Sequence, residues 1–222
     1  MADIVRPIRE PGQESSNRPV VARNRDDPPD LTDRRSAILD GALELFALNG
    51  YRATTMADLG ERAGIRGPSI YKWFSSKQEI LAEVMLTTMR RLVNLQTLAI
   101  TQSTDPADQL KRAMEIHVRY HARNRREAFV GTREIQSLQE PTRSEVLELR
   151  DAYERGFRDV IERGRVEGLF TVHSSRLASY AILDMGMGVA VWFREEGPVD
   201  EDTLVRQYGR MVLRMVGLLE SA

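Results

Sequence analysis

From residue 33 to the C terminus, apolar side chains recur with the 3.6-residue period of a helix, and nowhere do they keep a strand's alternation beyond a few positions. Such a chain buries its apolar surface by packing helix on helix, so the sequence predicts an all-α fold. Proline placement agrees. Pro68, Pro106, Pro141 and Pro198 each stand at or just before a predicted helix start, where the missing N–H would have had no partner. Pro7, Pro11, Pro19, Pro28 and Pro29 instead lie among Arg, Asp, Glu, Ser and Asn. That stretch is too poor in apolar residues to offset its ordering entropy, so residues 1–31 are expected to form a disordered arm.

The spacing predicts about nine helices. The first runs from Asp33 to Asn49, carries Ile38, Leu39, Ala42, Leu45 and Phe46 on one face, and ends at Gly50. A second is capped by Thr54 or Thr55 and runs to Ala63; a short third covers Gly67 to Phe74. A long fourth, capped by Ser75 or Ser76, reaches Thr101. Others are expected over residues 106–123, 125–139, 142–168, 175–195 and 200–221, with no internal repeat.

Composition removes whole classes of function. There is no cysteine, hence no disulfide framework, thiolate nucleophile or thiol-based redox sensor. With no HExxH and no glycine-rich phosphate loop either, an enzyme is the weaker reading; no catalytic residue, metal or cofactor is expected. The longest run without a polar side chain, Met185 to Phe193, is nine residues, well short of a membrane span, and the N terminus has no leader pattern. A soluble cytoplasmic protein is expected. The net charge of -1 argues against a general nucleic-acid coat.

One short segment departs from that neutral average. Arg52, Arg62, Arg66, Lys72 and Lys77 face only Asp58 and Glu61 between residues 52 and 77, a local charge of +3. Within it Leu59, Gly60, Ala63, Gly64, Ile65 and Ile70 have the spacing of two helices joined by a tight turn, with Gly60 permitting close approach and Ile65, Ile70 and Phe74 pinning the pair to the first helix. This is the pattern of a helix-turn-helix, whose later helix enters the DNA major groove. A glycine turn between short helices also occurs in helical proteins without DNA, so an adaptor stays open on spacing alone.

Residues 33–81 closely resemble the DNA-binding domain of the TetR family of bacterial transcriptional regulators. The resemblance is carried by Ile38-Leu39-x-x-Ala42-x-x-Leu45-Phe46-Ala47-x-x-Gly50-Tyr51-x-x-Thr54-Thr55, by Leu59-x-x-x-Ala63-Gly64-Ile65, and by Ser69-Ile70-Tyr71-Lys72-Trp73-Phe74-Ser75-Ser76-Lys77-x-x-Ile80-Leu81. It implies phosphate contacts from Thr55 with Thr54, from Tyr71 and from Lys77, and base reading by Arg66, Ser69 and Lys72, with Arg52 and Trp73 on the same surface. Gly67 and Pro68 replace the usual polar and small residues at the start of the recognition helix, and Trp73 replaces a common His.

The same resemblance implies a DNA-binding domain over residues 32–78 and a second helical domain over 79–222 that binds a small effector and pairs two subunits on a near-palindromic operator. Leu204, Tyr208, Met211, Met215 and Leu218 recur at heptad spacing as a candidate dimer seam, and the helix before it holds one charged residue, Asp184, between Leu177 and Phe193. Tyr120, Phe129, Ile135, Leu138, Tyr153, Phe157 and Val160 are apolar enough to line a pocket or simply to form core. Gly186 and Gly188 leave room for a close helix crossing or for a ligand; His117 and His121 read as an ordinary packed or exposed pair rather than a metal site.

Weaker stretches, among them Gly131-x-x-Glu134-Ile135-x-x-Leu138, Leu149-Arg150-Asp151-x-Tyr153-Glu154 and Val189-Ala190-x-Trp192-Phe193-Arg194, resemble the acyl-CoA-responsive repressors of fatty-acid and steroid breakdown. That resemblance implies an acyl-CoA effector, with Trp192 and Phe193 near the acyl portion, Met185 also among the ligand-binding candidates, and Arg133 or Arg194 on the CoA phosphates; a regulator of efflux or other metabolism with a different apolar effector is the alternative. Repression is the expected sign, with activation left open.

Overall fold

The structure is a computed structural model that describes residues 31–218. The arm expected over residues 1–31 lies outside the described residues but for Leu31. The described residues form α1 (Leu31–Asn49), α2 (Met56–Arg62), a 3₁₀ segment (Gly67–Lys72), α3 (Lys77–Ile100), α4 (Pro106–Arg123), α5 (Arg125–Arg133), a 3₁₀ turn (Ile135–Ser137), α6 (Thr142–Val166), α7 (Ser175–Met187), α8 (Val189–Trp192) and α9 (Glu201–Met215). No strand occurs among them; one isolated bridge joins Phe170 to Leu218.

Helix starts follow side-chain chemistry. Thr55 rather than Thr54 caps α2: its Oγ1 accepts from the Asp58 amide at 3.2 Å, and Asp58 Oδ2 accepts from the Thr55 amide at 2.7 Å, so two otherwise orphaned donors are satisfied reciprocally. Ser76 caps α3, Asp105 α4 and Asp200 α9.

Several ends differ from the periodicity, each for a local reason. The segment after the turn is 3₁₀, because Gly67 has φ +53 and Pro68 brings no N–H. The helix expected over 125–139 stops at Arg133, and α6 stops at Val166. The helix expected over 175–195 divides at Gly188 into α7 and α8. The last helix ends at Met215, where Gly217 takes φ +66 and the chain turns to give the Val216 carbonyl to the Thr171 amide at 3.0 Å.

α4 is the central element, packed on α3, α6, α7 and α9, with Leu110, Ala113, Met114 and Val118 fully buried. It crosses α7 at Gly186. A Cβ there would lie 2.1 Å from His117 Cδ2, so Gly186 serves a close helix crossing and leaves no room for a ligand.

Candidate DNA-binding head and effector cavity

α1, α2, the 3₁₀ segment and the start of α3 enclose a small core of Ile38, Ala42, Phe46, Leu59, Ile65, Ile70, Phe74, Ile80 and Leu81. A Cβ on Gly60 would sit 3.1 Å from the Ile65 carbonyl, which is the close approach its position predicts. With the apolar residues turned inward, Arg52, Thr55, Arg66, Gly67, Pro68, Tyr71 and Lys72 are exposed, and Ser69 and Trp73 are half-buried.

Two residues expected among the phosphate contacts do other work here. Thr54 is buried, and its hydroxyl donates to the Gly50 carbonyl at 2.9 Å, capping the end of α1. Lys77 Nζ donates to the Tyr51 carbonyl at 2.7 Å and the Thr54 carbonyl at 2.5 Å, and lies 4.2 Å from the Tyr51 ring centroid. Together they hold the turn that presents Thr55 at the N terminus of α2. The Trp73 carbonyl accepts from Arg35 Nη1 at 3.0 Å, and Arg35 also pairs with Glu83 on α3.

Below the head, α3, α4, α5, α6 and α7 surround a cavity of about 430 Å³ lined by Leu92, Tyr120, Gly131, Tyr153, Leu183 and Met187, with His117, His121 and Arg150 among its polar groups. Burial holds His117 neutral, its pKa lowered to about 4; burial and the adjacent His117 lower His121 to about 3. A second pocket of about 380 Å³ shares Ala128, Thr132, Asp184 and Met187 with the first and adds Phe129 and Arg133, whose guanidinium lies 4.5 Å from the Phe129 centroid. A larger cleft of about 930 Å³ between α1 and α5 is lined by Asp40, Glu44, Arg62, Arg123, Arg125 and Arg126. It is a charged seam, crossed by Glu44 pairing with Arg62 at 2.5 Å and Arg126 at 3.7 Å, and is poorly suited to an apolar guest.

Of the expected effector residues, Tyr120 and Tyr153 line the main cavity, and Phe129 and Arg133 its extension. The others stand elsewhere. Phe157 is fully buried behind His117, their centroids 5.8 Å apart, so it supports the wall without lining it. Met185 packs against the core from α7, and Phe193 is buried in it. Arg194 folds onto its own backbone, donating to the Val191 carbonyl at 3.0 Å and the Phe193 carbonyl at 2.7 Å. Trp192 is half exposed. Leu177 and Tyr180 on α7, Val191 on α8, and Met211 and Met215 on α9 are likewise exposed apolar side chains. The seam expected on α9 is accordingly narrower: Leu204 is buried in the subunit's own core, Tyr208 and Leu218 pack on that core, Leu218 beside Phe170, and Met211 and Met215 are left facing outward. Asp184 is exposed and needs no buried partner.

Two family models match the chain: "Bacterial regulatory proteins, tetR family" over residues 38–84, and "Tetracyclin repressor-like, C-terminal domain" over 103–216, more than half of its length. The chain belongs to the TetR family. Among its relatives, the transcriptional repressor KstR2 of Mycobacterium tuberculosis is 28% identical over 82% of this chain and 92% of its own. The transcriptional activator FasR of Mycolicibacterium smegmatis is 26% identical over 92% of this chain and 91% of its own. The solved TetR family regulator PfmR of Thermus thermophilus is 34% identical, superposes with a TM-score of 0.73, and covers 83% of this chain and 99% of its own.

This TetR-type transcriptional regulator therefore has a head whose exposed arginine at the turn, Arg66, is the candidate base reader. Replacing Arg66 by alanine is expected to cost ~1–3 kcal/mol on the preferred operator and to relax preference at one base position. Selection from randomised duplexes reads this directly; an undiminished preference would show that Arg66 reads no base. Sequence reasoning does not single out His121 and Arg150, which line the main cavity. The available signal is spacing: His121 follows Tyr120 and stands four residues after His117 on α4, and Arg150 precedes Tyr153 by three on α6.

Proposed function

We propose that this TetR-family regulator is a cytoplasmic homodimeric repressor that binds a near-palindromic operator through residues 32–78 and is released when residues 79–222 take up a small amphipathic effector, a CoA thioester. The observation that carries the reading is the placement of α5 between cavity and head. On one side Glu127, Ala128, Gly131 and Thr132 line the cavity. On the other Arg126 pairs with Glu44 of α1. Just beyond α5, Glu134 Oε1 accepts from the Tyr51 amide at 3.1 Å, and Gln78 Nε2 donates to the Tyr51 hydroxyl at 2.9 Å and the Ser137 carbonyl at 2.5 Å.

Tyr51 is the platform on which Lys77 holds the turn before Thr55. A ligand that shifts α5 thereby shifts the head's phosphate-facing turn, and α3, ~36 Å long at 1.5 Å per residue, carries that displacement. Release requires the effector to bind the released arrangement more tightly than the DNA-bound one. The acyl group occupies the main cavity, and the CoA portion leaves past Phe129 toward Arg133. No helix among the described residues is long and apolar enough to cross a membrane.

The test uses Glu134→Ala in a mobility shift with the promoter DNA nearest its own gene. The variant is expected to bind that DNA within about threefold of the wild type, since it leaves the exposed head residues untouched. Titrated acyl-CoA is expected to release it at a concentration at least tenfold higher than for the wild type. Equal release would remove the α5 latch from the mechanism, and failure of the wild type to bind DNA would remove the regulator reading for this promoter.

A further inference from the structure

Two polar groups in the cavity wall are left unsatisfied by the protein itself. His117 is complete: its Nε2 donates to the Leu183 carbonyl at 3.0 Å, which can only accept, and its Nδ1 therefore accepts from the Tyr153 hydroxyl at 3.0 Å. His121, whose ring stands edge-on to His117 with centroids 4.5 Å apart, is 6% exposed, and its Nδ1 is buried with no hydrogen-bond partner. Kept neutral, it offers one N–H and one lone pair. Across the cavity on α6, Arg150 donates one N–H to the Gly131 carbonyl at 2.5 Å. Among the described residues no carboxylate lies within ion-pairing distance of it, although burial alone lowers its pKa.

The location matters as much as the chemistry. The extension that leads past Phe129 and Arg133 opens between α5 and α7. Arg150 lies on the other side, where it also borders a small void with Val84, Met85 and Met89 of α3. An acyl chain whose CoA leaves through the extension points its distal end at Arg150 and His121. A saturated chain there would desolvate the Arg150 guanidinium without pairing it, a penalty larger than one more methylene returns. We propose that the effector's acyl chain carries a distal oxygen function, a hydroxyl, keto or carboxylate oxygen, that accepts from Arg150 and meets His121. The cavity then selects oxygenated over saturated chains. This rests on reading the cavity as the effector site.

The experiment is isothermal titration of the full-length protein with octanoyl-CoA, its ω-hydroxy analogue and the monothioester of octanedioic acid, with octanoate and octanedioate as free acids. The oxygenated thioesters are expected to bind roughly 10–100-fold more tightly than octanoyl-CoA, as one hydrogen bond to a charged donor implies. Arg150→Met and His121→Phe should each reduce that preference to a few-fold. If Arg150→Met fails to fold for want of its bond to Gly131, His121→Phe carries the test, since phenylalanine preserves most of the ring volume. Octanoyl-CoA binding as tightly as the oxygenated thioesters would overturn the inference and leave the thioester reading standing. Octanedioate binding more tightly than octanoate, with that preference weakened by His121→Phe and no thioester bound, would do the reverse. No binding by any of the five would sink both.

Discussion

Replacing Met211 and Met215 together by aspartate is expected to leave a folded monomer that binds operator DNA at least ~100-fold more weakly than the parent. α9 divides its residues sharply: Leu204, Val205, Gly209 and Val212 are buried in the subunit, whereas Met211 and Met215 are 47% and 41% exposed. Their loss therefore removes nothing from the subunit core, and surface changes of this kind stay within about 0.5 kcal/mol. Between two subunits paired through this face the same carboxylates would be desolvated, at a cost no unpaired charge recovers. Two linked heads bind far better than one because the second contact is intramolecular, a gain of roughly 10²–10⁴. Sedimentation velocity and a mobility shift on one operator check both halves. A variant that still sediments as a dimer would show that this face is not the interface.

Phe74→Ala is expected to destabilise the head by ~3–5 kcal/mol, the usual cost of removing a fully buried aromatic ring. Phe74 is 0% exposed, and the Arg35 guanidinium lies 4.2 Å from its ring centroid. Arg35 in turn holds the Trp73 carbonyl and Glu83 of α3, so the cavity left by the ring undercuts the junction of α1, the 3₁₀ segment and α3. Operator binding should be lost, while effector affinity, set by α3 to α7, should change by less than about threefold. Urea unfolding followed by DNA and ligand titrations separates these. The neighbouring Tyr71→Ala, at a position 56% exposed, should leave stability within about 0.5 kcal/mol and weaken DNA binding alone. A loss below about 1 kcal/mol for Phe74→Ala would show that the ring is not central to the head.

The head is readable because its signals are local. Gly60, Gly64 and Ile65 fall within one turn of chain, and Thr55 to Asp58 is a capping box three residues long. The exchange of roles between Thr54 and Thr55 is not readable, since both are competent caps and only the Gly50 carbonyl, brought near by the end of α1, takes the Thr54 hydroxyl. Lys77 shows the same limit: its charge is evident, but the two carbonyls that occupy it come from a turn more than twenty residues away.

In the second half the periodicity locates helices better than it orients them. A heptad seam from Leu204 to Leu218 is consistent with a face turned inward or outward, and the structure uses both: Leu204 inward, Met211 and Met215 outward. Trp192 and Phe193 are adjacent in sequence yet part company, one half exposed and one in the core, because α8 ends between them. Arg150 and His121 become visible as a pair only across the cavity between α4 and α6.

By itself the sequence determined an all-helical chain with a helix-turn-helix near its start, since helical period, capping and turn chemistry act over a few residues, and the resemblance of residues 33–81 pointed to a TetR-type regulator. Only the tertiary structure decided which aromatic residues enclose the cavity, which residues of α9 stay exposed, and where the unpaired polar groups lie. Those depend on the angle at which helices distant in sequence cross. Here that angle is set by contacts such as Gly186 against His117, a glycine and a ring almost seventy residues apart.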